Sequence, residues 1–117
     1  MRANQLPPPL EADIQAGIKH YLTLRGWFCS DIRERYFRQG GGKYSEPGIP
    51  DMICIKAGRV VMLEVKRPKV SYAKKVRESQ EVWHGKWKAQ GGEVYVVRGV
   101  EDAAMVVDRE AKDESYF

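Results

Sequence analysis

Two acidic residues and a lysine stand at the ends of two neighbouring predicted strands. An apolar run follows Asp51, and a second apolar run, residues 60–65, carries Glu64 and Lys66 near its end. The short turn 56–58 contains glycine, so the two runs are predicted to form a β-hairpin. Residues two apart in a strand project from one face, which places Glu64 beside Lys66. Hairpin pairing joins the start of the first strand to the end of the second, and so sets Asp51 next to Glu64.

This arrangement of charge predicts a site for a hard divalent cation. Carboxylates are costly to bury unless a partner compensates their charge. Mg²⁺ and Mn²⁺ bind carboxylate, carbonyl and water oxygens, so either ion suits the pair Asp51 and Glu64. A surface salt bridge between Glu64 and Lys66 is the alternative, because any Glu-x-Lys in a strand can form one. The Pro-Asp at hairpin distance upstream favours the cation site.

The order and spacing of these residues resemble a nuclease signature. Pro50-Asp51, twelve intervening residues and Glu64-Val65-Lys66 resemble the PD-(D/E)xK motif. Within that superfamily the chain most resembles the stand-alone, virus-type VRR-NUC domain. The resemblance covers most of the chain, and its other supporting segments are Glu11-Ala12-Asp13-Ile14-Gln15, Gly48-Ile49 and Ser79-Gln80.

The first helix offers two acids, and helical geometry separates them. At about 100° per residue, Glu11 falls within about 20° of the apolar Ile18, whereas Asp13 falls roughly 140° away. Glu11 is therefore the acid that faces the interior. The alternative is that Glu11 only places a negative charge at the N-terminus of the helix and has no role in a site. The metal ligands that the resemblance implies are Glu11, Asp51, Glu64 and the Val65 carbonyl.

The resemblance implies that a second helix packs over the acidic face of the hairpin. Ser71 is expected to cap this helix, which runs to Ala89. Residues spaced three and four apart form one stripe along it, and Gln80 is the polar member. A buried amide needs partners, and the resemblance implies that Gln80 orients Lys66 or the nucleophile; a glutamine that only borders the core is the alternative. The catalytic set implied is Asp51, Glu64, Lys66 and Gln80.

Basic residues flank this site. Residues 67–90 contain seven Lys or Arg against two Glu, whereas residues 101–114 contain six acids against two bases. A protein that binds phosphates has this distribution, although a solvated helix face and a flexible loop without a partner remain alternatives. Glycines and tyrosines among the bases of the loop 33–46 suit contact with unpaired bases as well. The predicted DNA-binding residues are Arg33, Arg35, Arg38, Lys43, Arg67, Lys69, Lys74 and Lys75.

Length and composition predict one domain over residues 1–117, with 43% hydrophobic residues. The predicted order is α-β-β-β-α-β-α, a restriction-endonuclease-like α/β core with a small mixed β-sheet flanked by helices. Residues 1–9 are expected to form an extended arm and 108–117 a frayed tail. No apolar run approaches the ~20 residues of a membrane span, and no signal peptide is expected. Cys29 and Cys54 are interpreted as small buried strand residues in a reducing compartment.

The resemblance implies a Mg²⁺- or Mn²⁺-dependent endonuclease whose partner is DNA. Stand-alone domains of this type resemble junction resolvases, so the expectation is a homodimer that makes two symmetric nicks in a four-way (Holliday) junction or other branched DNA. A nickase or flap nuclease of replication or repair is one alternative, and a non-catalytic DNA-binding module is another. The expected location is the cytoplasm of a bacterial host, with the protein encoded by a phage or prophage.

Overall fold

The computed structural model describes residue 7, residues 9–32 and residues 46–114, and the side chains as far as residue 108. Three helices and four strands occur in these ranges, in the predicted order α-β-β-β-α-β-α. They are α1 (Glu11–Leu24), β1 (Phe28–Asp31), β2 (Met52–Lys56), β3 (Arg59–Val65), α2 (Lys74–Ala89), β4 (Glu93–Val97) and α3 (Val100–Glu114).

The four strands form one mixed sheet in the order β1-β2-β3-β4. β1, β2 and β3 are antiparallel neighbours, whereas β4 lies parallel to β3. A parallel pair needs a long crossover, and α2 supplies it. The predicted hairpin is the pair β2–β3, closed by Ala57 and Gly58 with φ of 50° and 84°. Positive φ at both residues is typical of the type I′ turns that match strand twist. The predicted fold class is therefore confirmed.

The core lies on the face of the sheet that α1 and α3 cover. Alternate residues of β3 point to this face and are buried there, among them Leu63 and Val65. The intervening residues, including Glu64, point to the opposite face, which α2 covers. Helix α1 contributes its apolar stripe to the core, and α3 contributes Ala103 and Val106. Both cysteines are buried free thiols, as predicted, and the register places Cys29 directly opposite Cys54.

Two predicted boundaries were wrong. Ser71 does not cap α2, which begins at Lys74 with Ala73 as its N-cap and without a side-chain cap bond. The preceding segment is instead tied down by Tyr72, whose hydroxyl accepts a hydrogen bond from the Arg67 N–H. Residues 108–114, which were expected to belong to a frayed tail, instead continue the last helix to Glu114, because they are mostly good helix formers. Within the described ranges, no helix has the length and apolar character needed to cross a membrane.

Candidate active site

Asp51 lies immediately before β2 and is almost completely buried, with 3% of its surface exposed. Its N–H donates to the Leu63 carbonyl at 3.0 Å, which continues the hairpin ladder by one residue and places Asp51 beside Glu64. Its carboxylate oxygen Oδ2 accepts the Val65 N–H at 2.6 Å. Glu64 is fully buried. The two predicted carboxylates are therefore neighbours in a dry environment, each on a strand end that the sheet fixes.

Gly48 brings the loop before Asp51 against α2. Its φ is +84°, and a Cβ at this position would collide with the Ser79 carbonyl oxygen. Only glycine combines this backbone conformation with so close an approach. The two segments Gly48-Ile49 and Ser79-Gln80, which the sequence presents as separate motifs, are thus in contact. Their contact holds Gln80 above the strand ends.

Lys66 is buried between two partners from different segments. Its Nζ donates to Gln80 Oε1 at 2.5 Å, and the same nitrogen lies 4.0 Å from the centre of the Tyr72 ring. An ammonium over an aromatic face is attracted by the ring quadrupole. Gln80 is the buried residue of α2 among the described side chains. The structure therefore brings Gln80 to Lys66, as predicted; the catalytic role of each residue stays a prediction.

Tyr72 connects Lys66 with the first helix, and sequence reasoning missed it. The Tyr72 hydroxyl donates to Glu11 Oε2 at 3.1 Å and accepts from the Arg67 N–H at 2.7 Å. Burial raises the pKa of Tyr72, and the nearby Glu11 carboxylate adds to this rise. Glu11 is half-buried whereas Asp13 is exposed, so the choice of Glu11 as the inward acid is confirmed. Tyr72 lies in an irregular loop, where no periodicity could have indicated its contacts.

His84 is a second site residue that the sequence analysis did not single out. It follows Gln80 by one helical turn, and its Nε2 lies 3.9 Å from Glu64 Oε1. Burial lowers the pKa of His84, and the positive charges of Lys88 and Lys66 lower it further. The imidazole is therefore held toward its neutral form. The signal was available, since residues four apart on a helix share a face.

The expectation that three carboxylates meet at one point is not met in the described structure. Asp51 and Glu64 adjoin, whereas the Tyr72 hydroxyl holds Glu11. No group of three or more His, Cys, Asp or Glu side chains forms a metal cluster within the described ranges. Mg²⁺ nevertheless needs only one or two carboxylates, because water and substrate phosphates complete its octahedron. The buried pair fits such an ion; the Val65 carbonyl stays a predicted ligand, while its N–H binds Asp51.

Four of the eight predicted DNA-binding residues fall in the described ranges. Lys69, Lys74 and Lys75 are exposed, and Lys74 lies 3.7 Å from Glu78 in an exposed ion pair. Arg67 is half-buried, and its Nε donates to the Pro9 carbonyl at 2.9 Å. Three exposed ammonium groups therefore lie between β3 and the first turn of α2. The other four predicted residues lie outside the described residues: Arg33, Arg35, Arg38 and Lys43.

Comparison with known proteins assigns the fold to a defined class. Among solved structures, a VRR_NUC domain matches this chain with a TM-score of 0.63 and 18% sequence identity, over 84% of this chain and 94% of that one. No protein-family model matches the sequence, and no curated protein matches it. The chain is thus an α/β domain with a small mixed sheet flanked by helices. Its fold is that of a VRR_NUC domain, the family that the motif spacing resembles.

Proposed function

We propose that this protein is a divalent-metal-dependent endonuclease that hydrolyses phosphodiester bonds in DNA. The observation that carries the proposal is the buried pair Asp51 and Glu64 beside the Lys66–Gln80 hydrogen bond. Two buried carboxylates next to a buried ammonium are costly for a fold that needs only stability. Buried charges of this kind concentrate at functional sites. The VRR_NUC fold of the chain supports the same activity.

The residues divide the chemistry between ion binding and phosphate contact. Asp51, Glu64 and the Val65 carbonyl would hold Mg²⁺ or Mn²⁺, and such an ion lowers the pKa of a bound water and offsets phosphate charge. Lys66 donates to a phosphate oxygen or orients the attacking water. One of its three N–H bonds is used by Gln80, and no other hydrogen-bond acceptor of Lys66 occurs in the described part of the chain. Gln80 therefore sets the direction of the remaining two.

The substrate that we propose is a four-way DNA junction cut by a homodimer. One core makes one nick, and resolving a junction takes two symmetric nicks, which a two-fold dimer supplies. The exposed lysines at the start of α2 suit phosphate binding beside the site. Phosphate contacts from these lysines position the DNA, whereas the buried site performs the cut.

Cleavage of labelled four-way, flap, splayed and linear DNA with Mg²⁺ or Mn²⁺ tests the proposal. Asp51→Asn and Glu64→Gln should each lower the cleavage rate by about 10²-fold or more, because each removes a charge next to the reacting phosphate. DNA affinity should remain close to that of the unmodified protein. Glu78→Gln, a change at an exposed acid of α2, is the matched control and should cut normally. Unmodified cleavage rates in both site variants would overturn the proposal.

The same panel separates the alternatives. Cleavage of flap or splayed DNA without junction cleavage indicates a nickase or flap nuclease of replication or repair. DNA binding without cleavage, together with no divalent-ion binding by calorimetry, indicates a non-catalytic DNA-binding module. Sedimentation at micromolar concentration tests the homodimer, and a monomer there contradicts paired junction cleavage.

A further inference from the structure

His84 Nε2 is a buried ring nitrogen without a hydrogen-bond partner among the described residues. Its side chain is 14% exposed. Buried polar atoms in native proteins almost always have a partner, so an exception of this kind needs an explanation. The Glu64 carboxylate lies close by, with Oε1 at 3.9 Å from the nitrogen. This separation is too long for a hydrogen bond.

The separation does suit two ligands of one metal ion. Ligand nitrogen and oxygen atoms lie about 2.1 Å from ions of this size, so two ligands of one ion are at most about 4.2 Å apart. The distance of 3.9 Å lies inside this limit. His84 is also held in place, because its ring packs edge-on against Trp83 with centroids 6.4 Å apart.

We propose that His84 contributes its imidazole nitrogen, together with the Glu64 carboxylate, to the divalent ion of this site. The inference rests on the proposed nuclease function and extends it by one ligand. Water and phosphate oxygens would complete the shell.

The imidazole gives the site a preference among divalent ions. Mg²⁺ prefers oxygen ligands, whereas transition-metal ions accept imidazole, with affinity rising from Mn²⁺ to Co²⁺. His84→Gln, which replaces the ring with an oxygen and amide donor, should therefore weaken Mn²⁺ binding by about tenfold and Co²⁺ binding by more. Mg²⁺ affinity should change little. Calorimetric titration with each metal alone gives these ratios without any cleavage measurement.

Electron paramagnetic resonance of bound Mn²⁺ tests the bond directly. The chain contains two histidines, and the other, His20, is exposed on α1, so an untagged protein offers a matched control. We expect nitrogen modulation from a bound imidazole in the unmodified protein and in His20→Gln, and its loss in His84→Gln. Labelling histidine with ¹⁵N in the unmodified protein should convert the modulation to that of ¹⁵N, a result that needs no variant to fold.

The outcomes separate this inference from the function on which it rests. Mn²⁺ binding that requires Glu64 but shows no nitrogen modulation overturns the role of His84, for which a bridging water is then the explanation, and leaves the nuclease proposal intact. Mn²⁺ binding that is absent, or unchanged in Glu64→Gln, overturns both. Nitrogen modulation that persists in His84→Gln also overturns the inference.

Discussion

Four polar side chains are buried in the described part of the chain, and all four belong to the candidate active site: Asp51, Glu64, Lys66 and Gln80. Their burial is tolerated because opposite charges and hydrogen bonds compensate one another. Asp51 accepts a backbone N–H, and Lys66 donates to Gln80. Removing one member leaves a partner buried without compensation, which costs more than the loss of an exposed ion pair.

Tyr72→Phe should lower the free energy of unfolding by about 1–2 kcal/mol, because it removes the hydroxyl that serves both the Arg67 N–H and Glu11. The ring remains, so the contact with the Lys66 ammonium is retained. Urea denaturation measures the change. The matched control is Tyr21→Phe, whose hydroxyl accepts an exposed hydrogen bond from Arg25, and it should change stability by less. Equal effects in the two variants would show that the Tyr72 hydroxyl does not connect α1 to the loop.

The site residues that the sequence predicted lie on or directly beside regular strands and helices, whereas Tyr72, which it missed, lies in a loop. Asp51, Glu64 and Lys66 lie on a hairpin whose period of two fixes their common face. Gln80 follows from helical spacing in the same manner, and His84 follows from it too once Gln80 is placed. Tyr72 is different, because its contacts join a loop to a helix about sixty residues away in sequence. No local pattern encodes such a contact.

At the scale of elements, the contact between the 46–50 loop and α2 determines how close Asp51 comes to Gln80. Gly48→Ala should disturb this contact in two ways. Alanine disfavours the φ of +84°, at a cost of about 1 kcal/mol, and its Cβ would collide with the Ser79 carbonyl oxygen. We expect a loss of unfolding free energy and a lower cleavage rate, as the loop moves away from α2.

Gly58 supplies the control for this prediction. It has the same φ of +84°, but a Cβ there meets no atom within 4 Å. Gly58→Ala therefore carries the conformational cost without the collision, and it lies at the far end of the hairpin from the site. Thermal unfolding and cleavage assays on both variants separate the two effects. The prediction fails if Gly58→Ala is as damaging as Gly48→Ala in both assays.

A second contact between elements ties α1 to the edge strand β1. Gln15 and Lys19 donate to the two carboxylate oxygens of Asp31 at 2.7 and 2.9 Å. Partial burial raises the pKa of Asp31, but the hydrogen bonds from Lys19 and Gln15 and the charge of Lys19 outweigh it, so the pKa lies below its ordinary value of 3.8. A carboxyl whose pKa is lower in the folded state stabilises the fold above its unfolded pKa.

Asp31→Asn should therefore lower the free energy of unfolding at pH 7, where the contribution of the carboxylate is fully present. The difference between the two proteins should shrink as the pH falls below about 3.8, since protonation removes the same charge from the unmodified protein. Urea denaturation at a series of pH values measures this convergence. A difference that stays constant down to low pH would contradict the proposed cause.

Sequence patterns predicted some boundaries of the helices and strands and not others. The hairpin was placed closely, because β-branched runs and a glycine turn mark it. The start of α2 was misplaced because Ser71 is a residue type that commonly caps helices, but the helix begins at Lys74 with Ala73 as its N-cap. The hydrogen bond of Tyr72 holds the preceding segment out of the helix. The end of α3 was misplaced because a charged helix end carries no apolar period beyond residue 107.

For the whole molecule, the proposed function assigns DNA binding and DNA cleavage to charges in different places. The net charge is +4, and exposed lysines at the start of α2 lie outside the buried candidate site. Lysines that bind phosphates release counterions from DNA, so the affinity falls with salt in proportion to the number of phosphates bound. Under the proposed function, Lys66 would contribute little to that slope, because it is buried and would contact the reacting phosphate alone.

Replacing Lys74 and Lys75 together with glutamine should reduce the slope of log affinity against log salt concentration by about 0.9 for each phosphate that the variant no longer binds. Affinity should fall for every DNA structure alike, because binding to phosphates carries no sequence information. The cleavage rate at saturating DNA should remain unchanged, since neither lysine belongs to the buried site. Fluorescence anisotropy between about 50 and 200 mM salt measures the slope.

Paired replacement of Lys86 and Lys88, both exposed at the far end of α2, removes the same charge from the opposite helix end. If that control reduces the slope equally, the effect comes from net charge and not from phosphate binding at the start of α2.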